Sequence, residues 1–391
     1  MQTLLFKPRP ASLIDSRIRR LPTRPPAHRP PDFDDRFDAV TLLYDSFFRG
    51  SNEVFITAPP LFNLLPFLQR MDVIAVPSGQ KCRFRIRNMD RHSRIRITVP
   101  TDTTTISLRT GIGQFELEPH QNLSNFFANR RVILTLSKNN RREWIQDWIR
   151  YHRDIHDANA VLIYDNQSTD YTPEELLAWL AQISGIDRFG IVSWPFRYGP
   201  QGLDAKRFWD SDFCQCGALE HARWMFLQQA RSVMNADIDE LVVSEDGSSV
   251  FGATERSRWG IVRYHGHWVH GFKGLTRIAG DRSPIRVVDF DHYLRHLTGR
   301  RWGLVPEREN VCAPKWTVVP SRCPARSQWA PHRIKGWIKS LPLSRNFSFR
   351  HFREIGNHWK YDRSARQVFD PDLYAFDELM RSNFSAVQWP S

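Results

Sequence analysis

The chain has 391 residues, 41% of them hydrophobic, enough to bury a real core and to build two or three domains. Its formal net charge of +13 points to anionic partners such as nucleotide phosphates, nucleic acid or acidic lipid head groups, or else to a generally basic solvated surface. Five cysteines without paired CxxC spacing argue against structural zinc and a disulfide framework and fit a reducing cytoplasm, and with no apolar stretch long enough to span a bilayer, any membrane contact is expected at the surface.

Residues 1–35 read as a basic, proline-rich arm: Arg17, Arg19 and Arg20 precede a run from Pro22 to Pro31 that disfavours a packed core. Its opening apolar run is broken by Pro8 and is too short for a signal peptide. Residues 36–128 read as a small β-rich accessory domain. Period-two alternation marks Cys82–Arg87 and Arg94–Val99, and Thr105–Leu108 and Phe115–Leu117 continue it. The alternating arginines suggest a solvated sheet face rather than a nucleic-acid platform.

From 129 to 391 strands and helices alternate. Val132–Leu136 is a continuous apolar strand, and Asn139 or Asn140 is suited to cap the helix that follows. Trp144, Ile145, Trp148, Ile149 and His152 share one face of that helix, which makes His152 a core histidine. Ala160–Ile163 is a second strand. Pro173-Glu174-Glu175 opens a second helix, with Gly185 at its end. Phe189–Val192 is a third strand, a third helix runs from about Cys216 to Ala230, and a fourth strand leads to Asp237. Gln215 stands just before that third helix, at a cap, on the surface or within reach of substrate. This order predicts an α/β fold with a doubly wound, mainly parallel sheet.

Ligands in such sheets bind beyond the carboxyl ends of the strands. Three polar clusters fall there: Ser137–Asn140, Asp165–Asp170 and Asp237-Ile238-Asp239-Glu240. The last places three carboxylates between apolar runs. Burying them uncompensated is costly, and a hard divalent cation, Mn²⁺ or Mg²⁺, is the expected compensation; the plainer alternative is an acidic turn or a helix cap. Such a cation in turn suits a phosphate. On this chemistry Asp239 is the first choice for a direct metal ligand. Asp237 serves the metal or a ligand that it holds, and Glu240 orients the loop or touches that ligand.

Three ordered motifs carry a family resemblance. They are Arg142-Glu143-Trp144 through Trp148-Ile149-Arg150-Tyr151-His152, then Ile163-Tyr164-Asp165-Asn166-Gln167-Ser168-Thr169-Asp170, then Asp237-Ile238-Asp239-Glu240. With them the chain, over about 130–355, resembles GT-A glycosyltransferases, closest to glycosyltransferase family 92 and its family 2-like bacterial relatives. The resemblance implies a nucleotide-sugar donor, with Asp165 on the nucleoside. Asn140 stands where the family has Glu, keeping hydrogen-bonding capacity without the charge. It also implies a late histidine as an additional metal ligand, either His332 or His351. Lys315, in a segment similar to the family's, and Arg333 are suited to phosphate.

An inverting transfer needs a carboxylate base, for which Asp289 and Asp291 are available; a retaining one does not. Trp259, Trp268, Trp316, Trp329, Trp337 and Trp359 offer stacking faces for an acceptor groove or packing for a core. Arg333–Lys339 is basic and amphipathic, suited to an anionic membrane surface. The expected function is therefore metal-dependent transfer of a hexose, from a UDP-sugar, to a hydroxyl of a glycan or lipid-linked acceptor. A metal-dependent phosphodiesterase or nucleotidyltransferase, or a polyanion-binding protein, are the alternatives. No nucleic-acid-binding signature is present, so no specific nucleic-acid partner is expected.

Overall fold

The computed structural model describes residues 1–201, 207–271, 285–295, 298–301, 305–308, 311–356 and 369–389. The main sheet has 11 strands. In chain order they are β1 (Gln2–Phe6), β2 (Arg131–Ser137), β3 (Ala160–Asp165), β4 (Arg188–Ser193), β5 (Ser232–Asn235), β6 (Glu240–Ser244), β7 (Ile261–His270), β8 (His292–Leu294), β9 (Val311–Val318), β10 (Phe347–Phe352) and β11 (Tyr374–Phe376). The spatial order is 1-4-3-2-5-9-7-8-11, while β10 pairs with both β7 and β6.

Alternate residues of β2, β3 and β5 enter different cores. Ile133, Val161, Ile163 and Met234 join the cluster that holds Trp144, Trp148, Leu176 and Leu180. Val132, Leu134, Leu162 and Val233 join the cluster that holds Ala218, Leu219 and Ala222. Helices α1 (Arg142–His156) and α2 (Pro173–Leu180) therefore cover one face and α3 (Phe213–His221) the other. A strand covered on both faces has to be apolar throughout, which is why these runs read as continuous.

Strands β1 to β5 are parallel, whereas β5–β9, β6–β10, β7–β9, β7–β8 and β8–β11 are antiparallel. The sheet is thus mixed rather than mainly parallel. Strands β5 and β6 are consecutive in the chain but not paired: β5 takes β9 as its antiparallel neighbour and β6 takes β10, both from far along the chain.

Local signals were read with uneven success. Thr172 and Glu175 form a reciprocal capping box at the start of α2. Neither Asn139 nor Asn140 caps α1, whose first flanking residue is Arg141 and carries no side-chain cap. Helix α3 begins at Phe213, so Gln215 lies within it and accepts a hydrogen bond from Tyr198.

The first 35 residues are tied into the body. Gln2–Phe6 extends the sheet parallel to β4. Buried Arg20 donates to the carbonyls of Pro60, Asp38 and Thr41 at 2.6–2.7 Å. Arg24 makes a two-pronged buried pair with Asp210. These arginines face protein acceptors instead of solvent.

Residues 36–128 are β-rich, with a four-stranded sheet (Asp45–Phe48, Glu53–Ala58, Arg83–Asn88, Ser93–Thr98) and a three-stranded one (Asp72–Val76, Thr105–Thr110, Gly113–Leu117). Arg83, Arg85, Arg87 and Arg96 are exposed, as a solvated face requires. Arg94 instead turns inward onto Glu220 of α3 at 2.5 Å, and Asp45 meets His221 at 2.9 Å. Burial alone raises the Glu220 carboxyl, but Arg94 and His92 outweigh it and hold the group well below the usual range. Among the described residues, no helix is long and apolar enough to cross a membrane.

Candidate functional site

The acidic quartet occupies the turn from β5 to β6, at the carboxyl end of β5. Strands β3 and β4 succeed β2 on one side and β5 lies on the other, so the strand order reverses between β2 and β5. That is the position at which an open α/β sheet presents a crevice.

The turn closes on itself. Glu240 N donates to Asp237 O, and Asp237 N donates back to Glu240 Oε2, each at 3.0 Å. Phe352 N donates to the Asp239 carbonyl at 2.8 Å, fixing the turn to the end of β10. Strand β6 is gripped from behind by α1. His152 Nδ1 lies 2.9 Å from the Trp148 carbonyl and its Nε2 accepts from Val242 N at 3.4 Å. His156 Nε2 meets the Val242 carbonyl at 2.7 Å and its Nδ1 accepts from Val250 N at 3.3 Å. His152 is the satisfied core histidine its helix face implies, and His156 repeats the device one turn later.

These contacts require neutral rings, and burial pushes the two histidines down to about 3 and about 4. Unfolded, each titrates near pH 6.5. Between those limits the unfolded chain binds more protons, so stability is lost as pH falls below about 6.5. In urea unfolding, the wild type should lose about 1.4 kcal/mol more per pH unit through that window than His156→Asn, which cannot titrate. Parallel slopes for the two proteins would contradict this account.

Lys315, from β9, is fully buried with Nζ 2.6 Å from Asp237 Oδ2 and 2.9 Å from Glu240 Oε2. Burial lowers its affinity for a proton, but Asp237 and Glu240 outweigh that and hold it above its ordinary value. Glu240 goes the other way for a carboxylate. Burial pushes it up to about 7, although Lys315 opposes the shift. The two shifts agree once charges are counted: one ammonium faces several carboxylates, so Lys315 is well compensated and Glu240 is not. The quartet's first counterion is therefore a protein lysine. Lys315, expected on phosphate, stands between two carboxylates, and Asp237 is its partner.

Asp239 is held differently. Its Oδ2 lies 3.0 Å from Nε2 of His351, whose Nδ1 is 3.7 Å from Glu240 Oε1. Trp268 stacks on the His351 ring with centroids 4.1 Å apart, which sets the imidazole's plane. This oxygen and nitrogen form a hydrogen bond, and 3.0 Å is also roughly the spacing of adjacent ligands on an octahedral ion with bonds of about 2.1 Å. Both side chains keep some exposure, at 19% and 13%. Among the described residues no three His, Cys, Asp or Glu side chains form a complete metal-binding group. Two protein donors, with water and a ligand's oxygens filling the rest, nevertheless fit Mg²⁺ or Mn²⁺, ions that keep much of their hydration shell. His332 is exposed at the turn between Gln328–Ala330 and Arg333–Lys335. Asn235, the last residue of β5, donates to the Pro331 carbonyl at 2.8 Å and brings that turn to the quartet's side of the sheet. Among the described contacts, Asp239 meets His351 of the two late histidines.

A second polar cluster sits at the ends of β2 and β3. Asp165 is buried and accepts from Ser168 Oγ at 2.5 Å and from Ser168 N at 3.2 Å. Burial raises its carboxyl, while Ser168 and Lys138 pull the other way. Asn140 donates to Ser137 Oγ at 2.9 Å. Asn139 takes a positive φ of 51° and accepts from Thr169 N at 2.6 Å, lacing the two loops together. In this state Asp165 organises its turn.

Asp289 Oδ2 accepts from Arg286 N at 2.8 Å, and Asp291 Oδ1 lies 2.8 Å from His292 Nδ1. The described side-chain hydrogen bonds of both stay within Arg286–His292, while the Asp291 carbonyl accepts from Asp377 N at 2.9 Å. Trp316 and Trp329 are buried against each other, centroids 5.1 Å apart, and belong to the core. Trp337 is partly buried against the same core, Trp259 is exposed, and Trp359 lies outside the described residues.

Trp268's stacking on His351 and Lys315's service as counterion are the features sequence reasoning missed. Lys315 did leave a signal, since a lone lysine in an otherwise apolar strand implies a buried acid facing it. No protein-family model matches the sequence, and no curated protein is significantly similar to it.

Proposed function

We propose that the chain is a metal-dependent glycosyltransferase of GT-A type that moves a hexose from a nucleotide-sugar donor, a UDP-sugar, to a hydroxyl of a glycan or lipid-linked acceptor. The observation that carries the reading is the pair Asp239–His351, two hard-metal donors about one coordination edge apart at the point where the strand order reverses. A divalent cation held by Asp239 and His351 would neutralise the negative charge that develops on the leaving diphosphate.

The chain's own residues do the remaining work. Lys315 keeps Asp237 and Glu240 from collapsing toward the open side and holds the turn in register. Trp268 prevents the His351 ring from rotating off Asp239. The loops after β2 and β3, which carry Asn140 and Asp165, border the crevice where a nucleoside belongs. If transfer inverts the anomeric centre, Asp289 and Asp291 are the available carboxylate bases, the first accepting from Arg286 N and the second 2.8 Å from His292 Nδ1.

Calorimetric titration of UDP with and without Mn²⁺ tests the reading, followed by a hydrolysis screen over nucleotide sugars. Metal-dependent UDP binding with slow hydrolysis of one donor is the expected result. Metal-independent behaviour with steeply salt-dependent binding to arbitrary DNA would replace it with polyanion binding.

A further inference from the structure

The loop after Arg333–Lys335 is built inside out. Ser340 is buried and donates to the carbonyls of Ile334 at 3.0 Å and Trp337 at 2.6 Å. Its apolar neighbours point outward: Ile338 is 74% exposed, Leu341 56% and Leu343 48%. Trp259, from the turn before β7, is 40% exposed beside them, with the Lys339 ammonium 4.4 Å from its ring centroid. The display is fixed. Arg263 donates to the Leu341 carbonyl at 2.9 Å, and Ser344 N donates to the Arg263 carbonyl at 2.6 Å. A hydrogen-bonded turn that hides its serine and shows its aliphatic side chains is unfavourable in water, so an exposed patch of this kind marks a contact surface.

The rim of the patch is basic. Arg258, Arg333, Lys339 and Arg345 are exposed, and Arg258 lies 4.9 Å from the Trp259 ring. Acids adjoin it at Asp90, paired with Lys335, and past Asn346, where Asp246 takes the asparagine amide at 2.8 Å and Glu245 N bonds the asparagine carbonyl. Glu255, below Trp259, is engaged by Arg131 and Arg231.

We infer that this loop and Trp259 form a docking surface for an anionic lipid bilayer, with Ile338, Leu341, Leu343 and Trp259 entering the head-group region and the basic rim meeting lipid phosphates. The apolar tips are few and come from one loop and one turn, less than a stable protein interface of about 800 Å² per partner needs. They suit shallow insertion, in which apolar burial and attraction to anionic lipid add together. The hairpin that bears Arg333 turns at Pro331 and His332, and Asn235 at the end of β5 donates to the Pro331 carbonyl.

Vesicle co-sedimentation of the full chain tests this without nucleotide or metal, so its outcome is separate from the transferase reading. Vesicles of phosphatidylcholine mixed with phosphatidylglycerol should sediment the protein at physiological salt, and phosphatidylcholine alone should not. A triple variant, Ile338→Asn, Leu341→Asn and Leu343→Asn, should bind about tenfold more weakly. Lys339→Glu with Arg345→Glu should lose about tenfold or more. Charge reversal at Arg83, Arg85 and Arg109, exposed on the β-rich sheets of residues 36–128, controls for the overall positive charge and should leave binding nearly unchanged. All these positions are exposed, so the variants fold. Wild-type protein that stays in the supernatant, or an asparagine triple variant that binds as tightly as wild type, overturns the proposal.

Discussion

Replacing Lys315 with methionine should lower the free energy of unfolding by about 3–5 kcal/mol. Methionine fills much of the same volume, so the loss isolates the charge. Without the ammonium, Glu240 keeps its burial and loses the cation 2.9 Å away, and Asp237 loses a contact at 2.6 Å. An orphaned buried carboxylate is the costly product, more than the absent ion pair itself. The effect has a signature in pH. Glu240 takes up its proton near 7, so the penalty should be larger at pH 8 than at pH 5.5, where the carboxyl is already neutral. Adding Glu240→Gln to Lys315→Met should restore part of the loss for the same reason. Urea unfolding of the two variants and the wild type at both pH values checks all three statements. A loss under about 1 kcal/mol at pH 8 would show that the buried pair is not what holds the turn.

The second large effect is functional. Asp239→Asn should weaken the Mn²⁺-dependent part of UDP binding about 100-fold or more, since even groups one shell removed from a metal commonly cost 10–100-fold. The substitution keeps the shape of the side chain and can keep a hydrogen bond to His351, so the fold should be unaffected. Asp237→Asn offers the contrast. It loosens Lys315 and should reduce stability, with a smaller effect on metal dependence because Asp237 already serves the lysine. Titrations with Mn²⁺ present and absent separate the two variants. Equal metal-dependent affinity in Asp239→Asn and wild type would remove Asp239 from the site.

Periodicity located β2 to β5 and helices α1 and α2, because a run buried on both faces has few alternatives to being apolar throughout, but it found neither β1 nor β7 to β11. It did not show that the sheet becomes mixed after β5, since pairing direction is set by which distant strand comes alongside, β9 against β5 and β10 against β6 and β7, and not by the residues within a strand. The basic proline-rich opening gave a misleading signal. Arg20 and Arg24 look like solvated charges in sequence, but their acceptors are carbonyls 18 to 40 residues away and Asp210 at a separation of 186. The late histidines illustrate the same limit. His332 and His351 are equally plausible in the chain, and it is the antiparallel pairing of Glu240 with His351 that sets one of them beside Asp239.

By itself the sequence determined that carboxylates would cluster at the end of a strand and that His152 would be a core residue, because both follow from local pattern and burial cost. Tertiary structure alone decided which cation answers those carboxylates first. Lys315 and His351 reach the quartet from β9 and β10, strands far along the chain whose registers place an ammonium against Asp237 and Glu240 and an imidazole against Asp239. Electrostatic compensation acts over a few ångströms of space, and the order of residues along the chain does not record which distant strands come that close.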